Sequence, residues 1–492
     1  MTDRASIKGR FLIEGILCLT SPLIIGTGEK QELDLVVIKD SFGNPFIPAT
    51  SLVGALRHYF YERLTLEGDD DQFEFFWGSD KRMSQRDSSY YQSAFSLDDL
   101  VALGTPLLSA RDGICIDPLT GTARDAMKYD FEVVDPETEF KFRAQVTLRE
   151  GFCRNTFLRI IVSIIKILAE GKLSLGAMTT KGFGKCKLKH YGVYEYNFSN
   201  KRDVFAWLKR ETLDEQKMTL DFDLAFAEKE GSMFLEAVFG IKNSLIIKSY
   251  SGDPDSADAV HLKSRGKNVL PGTSIKGALR ARAIKIINTL VGSSDTVKNP
   301  GDSPYSFGEI MTRSLFGWAT DEPDEKREKI KSRFLVEETY INNVVEEIQF
   351  RTCIDRFTGG VVKAALFDTQ PLWPQKQGEQ VRIKIEIRDY EEWEAGLLLL
   401  LLKDLWTGDL PLGGDKGIGR GLLQGIWARI DMGKQKIYEI RVNGALDTGE
   451  KQYSLTIKGQ EEMETLLQAF LEKVEKEMKE GTIVGRAETN KG

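Results

Sequence analysis

The sequence predicts an α+β chain of two tandem ferredoxin-like modules (βαββαβ, RRM-type), each carrying a long insertion, with a helical extension at the C-terminal end. Three observations carry this expectation. The chain has 492 residues, room for two or three domains at roughly 100–200 residues each. It contains an internal duplication, the first thing to look for in a chain of this length. Both copies place strand-like and helix-like stretches in the same order.

The duplication rests on four matches in register. Pro48–Arg57 reads P-A-T-S-L-V-G-A-L-R and Pro271–Arg280 reads P-G-T-S-I-K-G-A-L-R, seven of ten identical at an offset of 223 (271 − 48). Phe76-Trp77-Gly78 is echoed by Leu315-Phe316-Gly317. Ile116–Ala123 (I-D-P-L-T-G-T-A) matches Ile354–Val361 (I-D-R-F-T-G-G-V) at an offset of 238 (354 − 116). The Gly-rich stretches after Leu175 and Leu412 match at 235 (416 − 181) when aligned on Lys181 and Lys416. The polar stretch Asn197–Lys217 then separates a first module over 1–212 from a second over 213–435. Residues 436–492 form the extension, a short strand and then a charged amphipathic helix over Glu461–Lys479.

Each module opens with a strand-like stretch, Phe11–Ile25 or Met233–Lys248. A helix then starts at a Thr-Ser pair, with Thr50 and Thr273 as expected N-caps. A middle insertion follows. A late apolar helix, Phe157–Leu168 or Glu391–Leu405, leads into a Gly-rich loop and a last strand. That order is the ferredoxin-like one, shared by the RRM sheet.

Composition limits the function. Hydrophobic residues make up 41%, enough for globular cores, and no run approaches the roughly 20 apolar residues of a membrane span. The Leu-rich run Gly396–Leu402 lies between Glu394 and Lys403 and reads as a buried helix. Phe11–Ile24 is broken by Glu14, Ser21 and Pro22, unlike a signal peptide, so a cytoplasmic protein with no membrane partner is expected. Five cysteines lack C-x-x-C spacing and are expected to be reduced thiols. Only three histidines occur, which argues against a His-rich metal centre; His261 stays open as a base beside Asp258. Formal net charge is −7, yet Ala259–Lys285 holds seven basic residues and no acid. Distribution outweighs the sum for a phosphate ligand.

Two segments could grip an RNA backbone. In the P-x-T-S-x-x-G-A-L-R helices, free N–H groups at the helix start favour an anion. Gly54 and Gly277 each cost about 1 kcal/mol against Ala in a helix, which points to close approach by another backbone. Ser51, Arg57, Ser274, Lys276 and Arg280 are the candidate contacts, set against a capped amphipathic helix with no ligand. The Gly-rich loops add Lys181, Lys185, Lys416 and Arg420, and the extended piece before the second helix adds Lys263. Neither loop is a Walker or dinucleotide motif.

Taken together, Ile25-Gly26-Thr27, Asp34–Asp40 and Pro45–Arg57 resemble the opening signature of RAMP superfamily proteins. The repeated I-D-x-x-T-G stretches are similar to the start of that family's thumb insertion, and the terminal Gly-rich loops to its hallmark. The resemblance covers most of 10–190 and 233–425. It is closest to the crRNA-binding backbone subunit of type III CRISPR effectors, and two modules in one chain resemble type III-D-like fusions.

The resemblance implies a metal-dependent endoribonuclease within a ribonucleoprotein complex. Such a subunit holds a guide RNA, inserts a thumb that flips a nucleotide, and cuts the paired single-stranded target RNA by 2′-hydroxyl attack. Other effector subunits, backbone, large and small, are the implied protein partners. Carried over by position, the catalytic and metal-holding carboxylate is Asp34 in the first module and Asp258 in the second, with Mg²⁺ or Mn²⁺ as cofactor. Asp253 and Asp255 compete with Asp258. Thumbs are expected over Ile116–Phe142 and Ile354–Pro374, with Met127, Leu366 and Phe367 as candidate wedges. Two positions depart from the family pattern: Val53 stands where Lys276 does in the second copy, and Pro118 where Arg356 does. The competing reading is a scaffold of the same complex that binds RNA and cuts nothing.

Overall fold

A computed structural model describes residues 6–28, 33–66, 70–79, 92–117, 121–250, 256–292, 305–319, 329–376, 378–443 and 454–488. It is an α+β structure with two ferredoxin-like modules. Met1–Arg111, Tyr129–Thr179 and Phe183–Lys229 form one compact unit; Asp112–Lys128, Thr180–Gly182 and Glu230–Gly492 form the other.

In the first unit the opening strand, Ile7–Leu19, is central. It pairs antiparallel with Glu139–Arg149 on one side and Cys186–Asn197 on the other. Leu100–Leu103 lies outside Glu139–Arg149, so the core strands follow the ferredoxin order. Glu139–Arg149 alternates strictly, burying Phe140, Phe142, Ala144, Val146 and Leu148 on one face, the period-two pattern of a half-covered strand. The helices Ala49–Arg63 and Arg154–Glu170 cover that face. Arg154–Glu170 is rich in isoleucine, a weak helix former, so packing rather than propensity holds it. It buries Phe157, Ile160, Ile161, Ile164, Ile165 and Leu168 and stops at Gly171 with φ 71°, a left-handed cap.

The boundary between units falls after Lys229, not after residue 212. Met218 N–H donates to Val193 O, Phe226 N–H to Ser163 Oγ, and Lys229 N–H to Arg63 O. Residues 213–229 therefore run back over the first module, and Phe226 joins its core.

The second unit repeats the plan. Met233–Ile241 is central between Val381–Ile387 and Leu423–Asp431, with Phe334–Val336 outermost on one side. The sheet continues through Ile437–Asn443 and Ser454–Lys458. The expected extension is thus part of this module. Its helix, Gln460–Glu488, buries Met463, Leu466, Phe470 and Val474 against the Leu-rich helix Glu392–Thr407. Gly396 makes that approach possible: a Cβ there would stand 2.1 Å from Leu466 O. Two buried carboxylates in the Leu-rich helix are paired, Glu394 with Arg333 and Asp404 with Arg282. Among the described residues no helix is long and apolar enough to cross a membrane, and the five cysteines are free thiols.

Candidate nucleic-acid interface

The two loop aspartates occupy equivalent places. Asp34 is exposed, and its Oδ2 accepts from the backbone N–H of Asp130 at 3.3 Å. The next residue, Leu35, forms a parallel bridge to Phe131. Asp258 is exposed, and its Oδ2 accepts from the backbone N–H of Asp368 at 3.2 Å. The next residue, Ala259, pairs in parallel with Thr369. In the second module the arrangement is reciprocal, since Asp258 N–H donates to Asp368 Oδ1 at 2.7 Å. The sequence reading did not single out Asp130 or Asp368. Their offset of 238 (368 − 130) equals that of the I-D-x-x-T-G repeat, a signal that could have found them. Asp253 and Asp255 lie outside the described residues.

The I-D-x-x-T-G stretches are the tips of hairpins, not their starts. The strands are Leu108–Ile116 with Ala123–Val134, and Gln349–Ile354 with Val361–Gln370. Both tips close the same way: Asp117 N–H donates to Thr122 O and Gly121 N–H to Asp117 O; Asp355 N–H donates to Gly360 O and Gly359 N–H to Asp355 O. Gly121 and Gly359 take φ of 69° and 68°, which Gly adopts without steric cost. The Asp355 carboxylate accepts from Thr358 and Phe357 N–H, and these bonds hold its pKa below the usual range. Phe357 at the tip is fully exposed. Met127, Leu366 and Phe367 lie on the return strands with exposures of 48, 69 and 43%. Pro118 lies outside the described residues.

At the Thr-Ser helices, the N-cap positions belong to Pro48 and Pro271, with no side-chain cap bond at either. Thr50 and Thr273 sit inside the first turn, because each helix begins at the residue directly after its proline. Ser51 and Ser274 donate their N–H groups back to those prolines. A Cβ at Gly54 or Gly277 would meet nothing within 4 Å. Among the described residues none makes the close approach expected there, and both turns are exposed. Arg57 and Arg280 are half-buried one turn on; Arg57 lies over the Tyr61 ring, and burial lowers the Arg280 pKa.

Lys276 does not face solvent, contrary to the sequence expectation. It is 6% exposed, and its Nζ donates to Ser332 Oγ and Phe334 O, both at 2.7 Å. Burial, with the neighbouring Arg280 charge, lowers its pKa to about 7. Its ammonium ties the helix to the outer strand rather than pointing to solvent. Lys263 is exposed and paired with Glu346 at 2.9 Å. His261 is buried: its Nδ1 accepts from Ile247 N–H, and its Nε2 pairs with Val269 O at 2.9 Å. Burial lowers its pKa to about 4, and both nitrogens serve the backbone, so it is not a base for Asp258.

The Gly-rich loops answer first to the fold. A Cβ at Gly184 would stand 1.8 Å from Leu175 O, and one at Gly421 1.9 Å from Leu412 O. Gly184 N–H donates to Pro22 O and Gly421 N–H to Ser244 O, both at 2.7 Å. These matched contacts set the true offset at 237 (421 − 184), so aligning Lys181 on Lys416 slips by two residues. Lys416 is exposed on its loop, whereas Lys181 and Lys185 are half-buried, and burial lowers the Lys181 pKa. Arg420 is 2% exposed and bonds Asp415, Thr369 and Gln349. It fixes the loop to the base of the hairpin Gln349–Gln370 and is not a solvent-facing cation.

The RAMP superfamily profile matches residues 17–187 and 241–424, and the chain belongs to that superfamily. The two matched stretches coincide with the two repeated modules, so it is a two-module RAMP protein. No curated protein matches it.

Proposed function

We propose that this chain is a guide-RNA-binding backbone subunit of a type III CRISPR effector, which cuts guide-paired target RNA once per module. The supporting observation is the repeated carboxylate geometry. In each module an exposed loop aspartate is held against the thumb's return strand, through the backbone N–H of a second aspartate. A phosphate-binding surface has no use for an exposed carboxylate pinned at the same place twice; a cutting site has.

Among the described residues no group of three or more His, Cys, Asp or Glu side chains could hold a metal ion. Asp34 with Asp130, and Asp258 with Asp368, offer two carboxylates per module. That set fits Mg²⁺ or Mn²⁺, because Mg²⁺ is commonly held by one or two carboxylates, completing its shell with substrate phosphate and water. Bound there, such an ion would stabilise charge on the scissile phosphate. Of the candidate contacts, Lys416 is exposed and Arg57, Arg280, Lys181 and Lys185 are half-buried, and these are the groups we assign to the guide backbone.

The test is cleavage of guide-paired RNA by the assembled complex. Asp34→Ala should abolish one cut and Asp258→Ala the other, each by at least about 10³-fold, with RNA affinity within about twofold of wild type. Chelator should stop both cuts, and a 2′-deoxy nucleotide at one scissile position should block that cut alone. A doubly substituted protein that still cuts at both positions refutes the catalytic assignment. Wild-type complex that binds RNA and never cuts there establishes the scaffold reading instead.

A further inference from the structure

The second unit holds a cavity outside the plan that the two modules share. Its volume is about 450 Å³, and every lining residue except Glu392 lies beyond residue 424, where the RAMP match ends. Met432, Ile437, Tyr438 and Leu466 line it with apolar surface. The turn Met432–Lys436 forms one wall. Met432 N–H donates to Lys436 O and Lys436 N–H to Gly433 O, and the Tyr390 hydroxyl braces the turn at Met432 O, 3.3 Å away. The first turns of the helices Glu392–Thr407 and Gln460–Glu488 complete the rim with Glu392 and Glu462.

Tyr438 is the residue of this cavity whose polar group the fold does not use. It is 7% exposed. A tyrosine hydroxyl buried to that degree normally finds a partner, and those of the other two buried tyrosines do. Tyr59 donates to Glu228 Oε1 at 3.2 Å and Tyr196 to Glu211 O at 3.0 Å. Among the described residues the Tyr438 hydroxyl makes no hydrogen bond, and its side chain lines the cavity. Gly459 admits the ring. Its φ is 82°, and a Cβ there would stand 2.3 Å from the ring's Cδ1 and 3.5 Å from Glu462 Oε2. Ring and carboxylate thus pack about the same glycine. Burial raises the Tyr438 pKa, and so do Glu462, Tyr390 and Glu392, so the neutral phenol stands in a negative field. Lys436 and Lys458 also reach the rim, but both are exposed.

We propose that this cavity binds a small organic cation, an alkyl chain carrying an ammonium or guanidinium group, with its charged end at Glu462, Glu392 and the Tyr438 hydroxyl. Each part of the ligand follows from a part of the site. The carboxylates offer charge-assisted hydrogen bonds, which are the strong ones. The phenolic oxygen has lone pairs to accept a further N–H. Leu466 and Ile437 offer hydrocarbon to an alkyl chain. A metal ion fits poorly, because hard cations take about six or more oxygen ligands, and among the described residues no cluster of three or more His, Cys, Asp or Glu could hold one. The volume falls within the roughly 300–1,000 Å³ of small-molecule pockets, so the site suits a whole small molecule. It is independent of RNA. A ligand there would fasten the last strands and the last helix to the Leu-rich helix.

The experiment is calorimetric titration of the RNA-free full chain with agmatine, at fixed ionic strength because exposed charges are screened by salt. Wild type should take up one agmatine per chain, and 1,5-pentanediol, a neutral analogue, should not compete. Glu462→Gln should weaken binding at least about tenfold, the loss of one hydrogen bond between charged groups. Tyr438→Phe should weaken it about threefold or more and leave the unfolding midpoint unchanged, since the hydroxyl has no partner to lose. Glu464→Gln removes an exposed charge from the same helix outside the cavity and should change binding less than twofold. Wild type that shows no saturable uptake overturns the proposal. So does a Glu464→Gln loss as large as that of Glu462→Gln, which would make the attraction one of general surface charge. A capped Gly-Arg-Gly peptide that binds more tightly than agmatine also overturns it, and makes the cavity a seat for a protein side chain.

Discussion

Three positions at the base of each hairpin show how one fold can be held by opposite chemistries. In the first module they are Arg111, Phe131 and Phe183. Phe183 is buried, its ring 5.9 Å from that of Phe131, with the Arg111 guanidinium 5.6 Å above it. In the second module the same positions are Gln349, Thr369 and Arg420, joined by hydrogen bonds of 2.6 and 3.2 Å and anchored on Asp415 at 2.8 Å. Both sets fix the Gly-rich loop to the return strand of the hairpin just beyond the paired aspartates. The conserved quantity is the position of that strand, not the interaction that sets it. The modules also differ at Val37 and His261, and at Val53 and Lys276. In each case an apolar residue in the first module is replaced by a buried, internally bonded polar one in the second.

The largest expected effects come from breaking those two nodes. Arg420→Ala removes a buried guanidinium and its bonds to Gln349, Thr369 and Asp415, while Asp415 keeps Lys248 at 2.7 Å; three lost hydrogen bonds to a charged group cost about 2–4 kcal/mol. Phe183→Ala removes a core aromatic at a similar cost. Conservative changes separate the two. Phe183→Leu should retain most of the stability, whereas Arg420→Lys should not, because one ammonium cannot reproduce a forked set of bonds. Hydrogen exchange read separately for each module measures this. Equal tolerance of both changes would show that the nodes are not chemically distinct.

Much of this difference was hidden in the sequence, for identifiable reasons. The duplication, the two helices per module and the order of strands were legible because periodicity and repeated motifs report them directly. The slip at the Gly-rich loops arose because Lys181 and Lys416 are conspicuous, while the residues that fix the alignment are glycines facing backbone oxygens. I-D-x-x-T-G looks like an entry signal in the sequence; in three dimensions it is a turn closed by its own aspartate. Lys276 and Arg420 read as surface cations in the sequence, because composition shows charge and not burial. Position alone singles out Asp34 and Asp258 in the sequence. Their holders, Asp130 and Asp368, required the hairpins to fold back.

A pH experiment sharpens the comparison at Val37 and His261. Burial lowers the His261 pKa to about 4 from the ordinary 6.5. Below pH 6.5 the unfolded chain takes up a proton that the folded module refuses. The second module should therefore lose stability as pH falls from about 6.5 to about 4, by roughly 2–3 kcal/mol in all. The first module has Val37 at that place and lacks this contribution. His261→Val should remove that part of the slope, at the cost of leaving Ile247 N–H and Val269 O without their partner. A slope unchanged in His261→Val would assign the acid sensitivity to other groups.

The smallest effect bears most directly on what the modules share. Gly54 and Gly277 lie within helices, outside the left-handed region, and a Cβ at either meets open space. Nothing in the fold demands glycine there. Gly54→Ala and Gly277→Ala should each stabilise their module by about 0.5–1 kcal/mol, seen as a rise in unfolding midpoint. If the glycines exist to let an RNA backbone come close, each substitution should also weaken RNA binding while the module becomes more stable. Arg280→Ala, one turn on, should weaken binding and flatten its salt dependence by roughly one charge. A stabilised Gly277→Ala protein that binds RNA as wild type does would leave the bare helix turn without a function, and would move the phosphate contact away from the start of that helix.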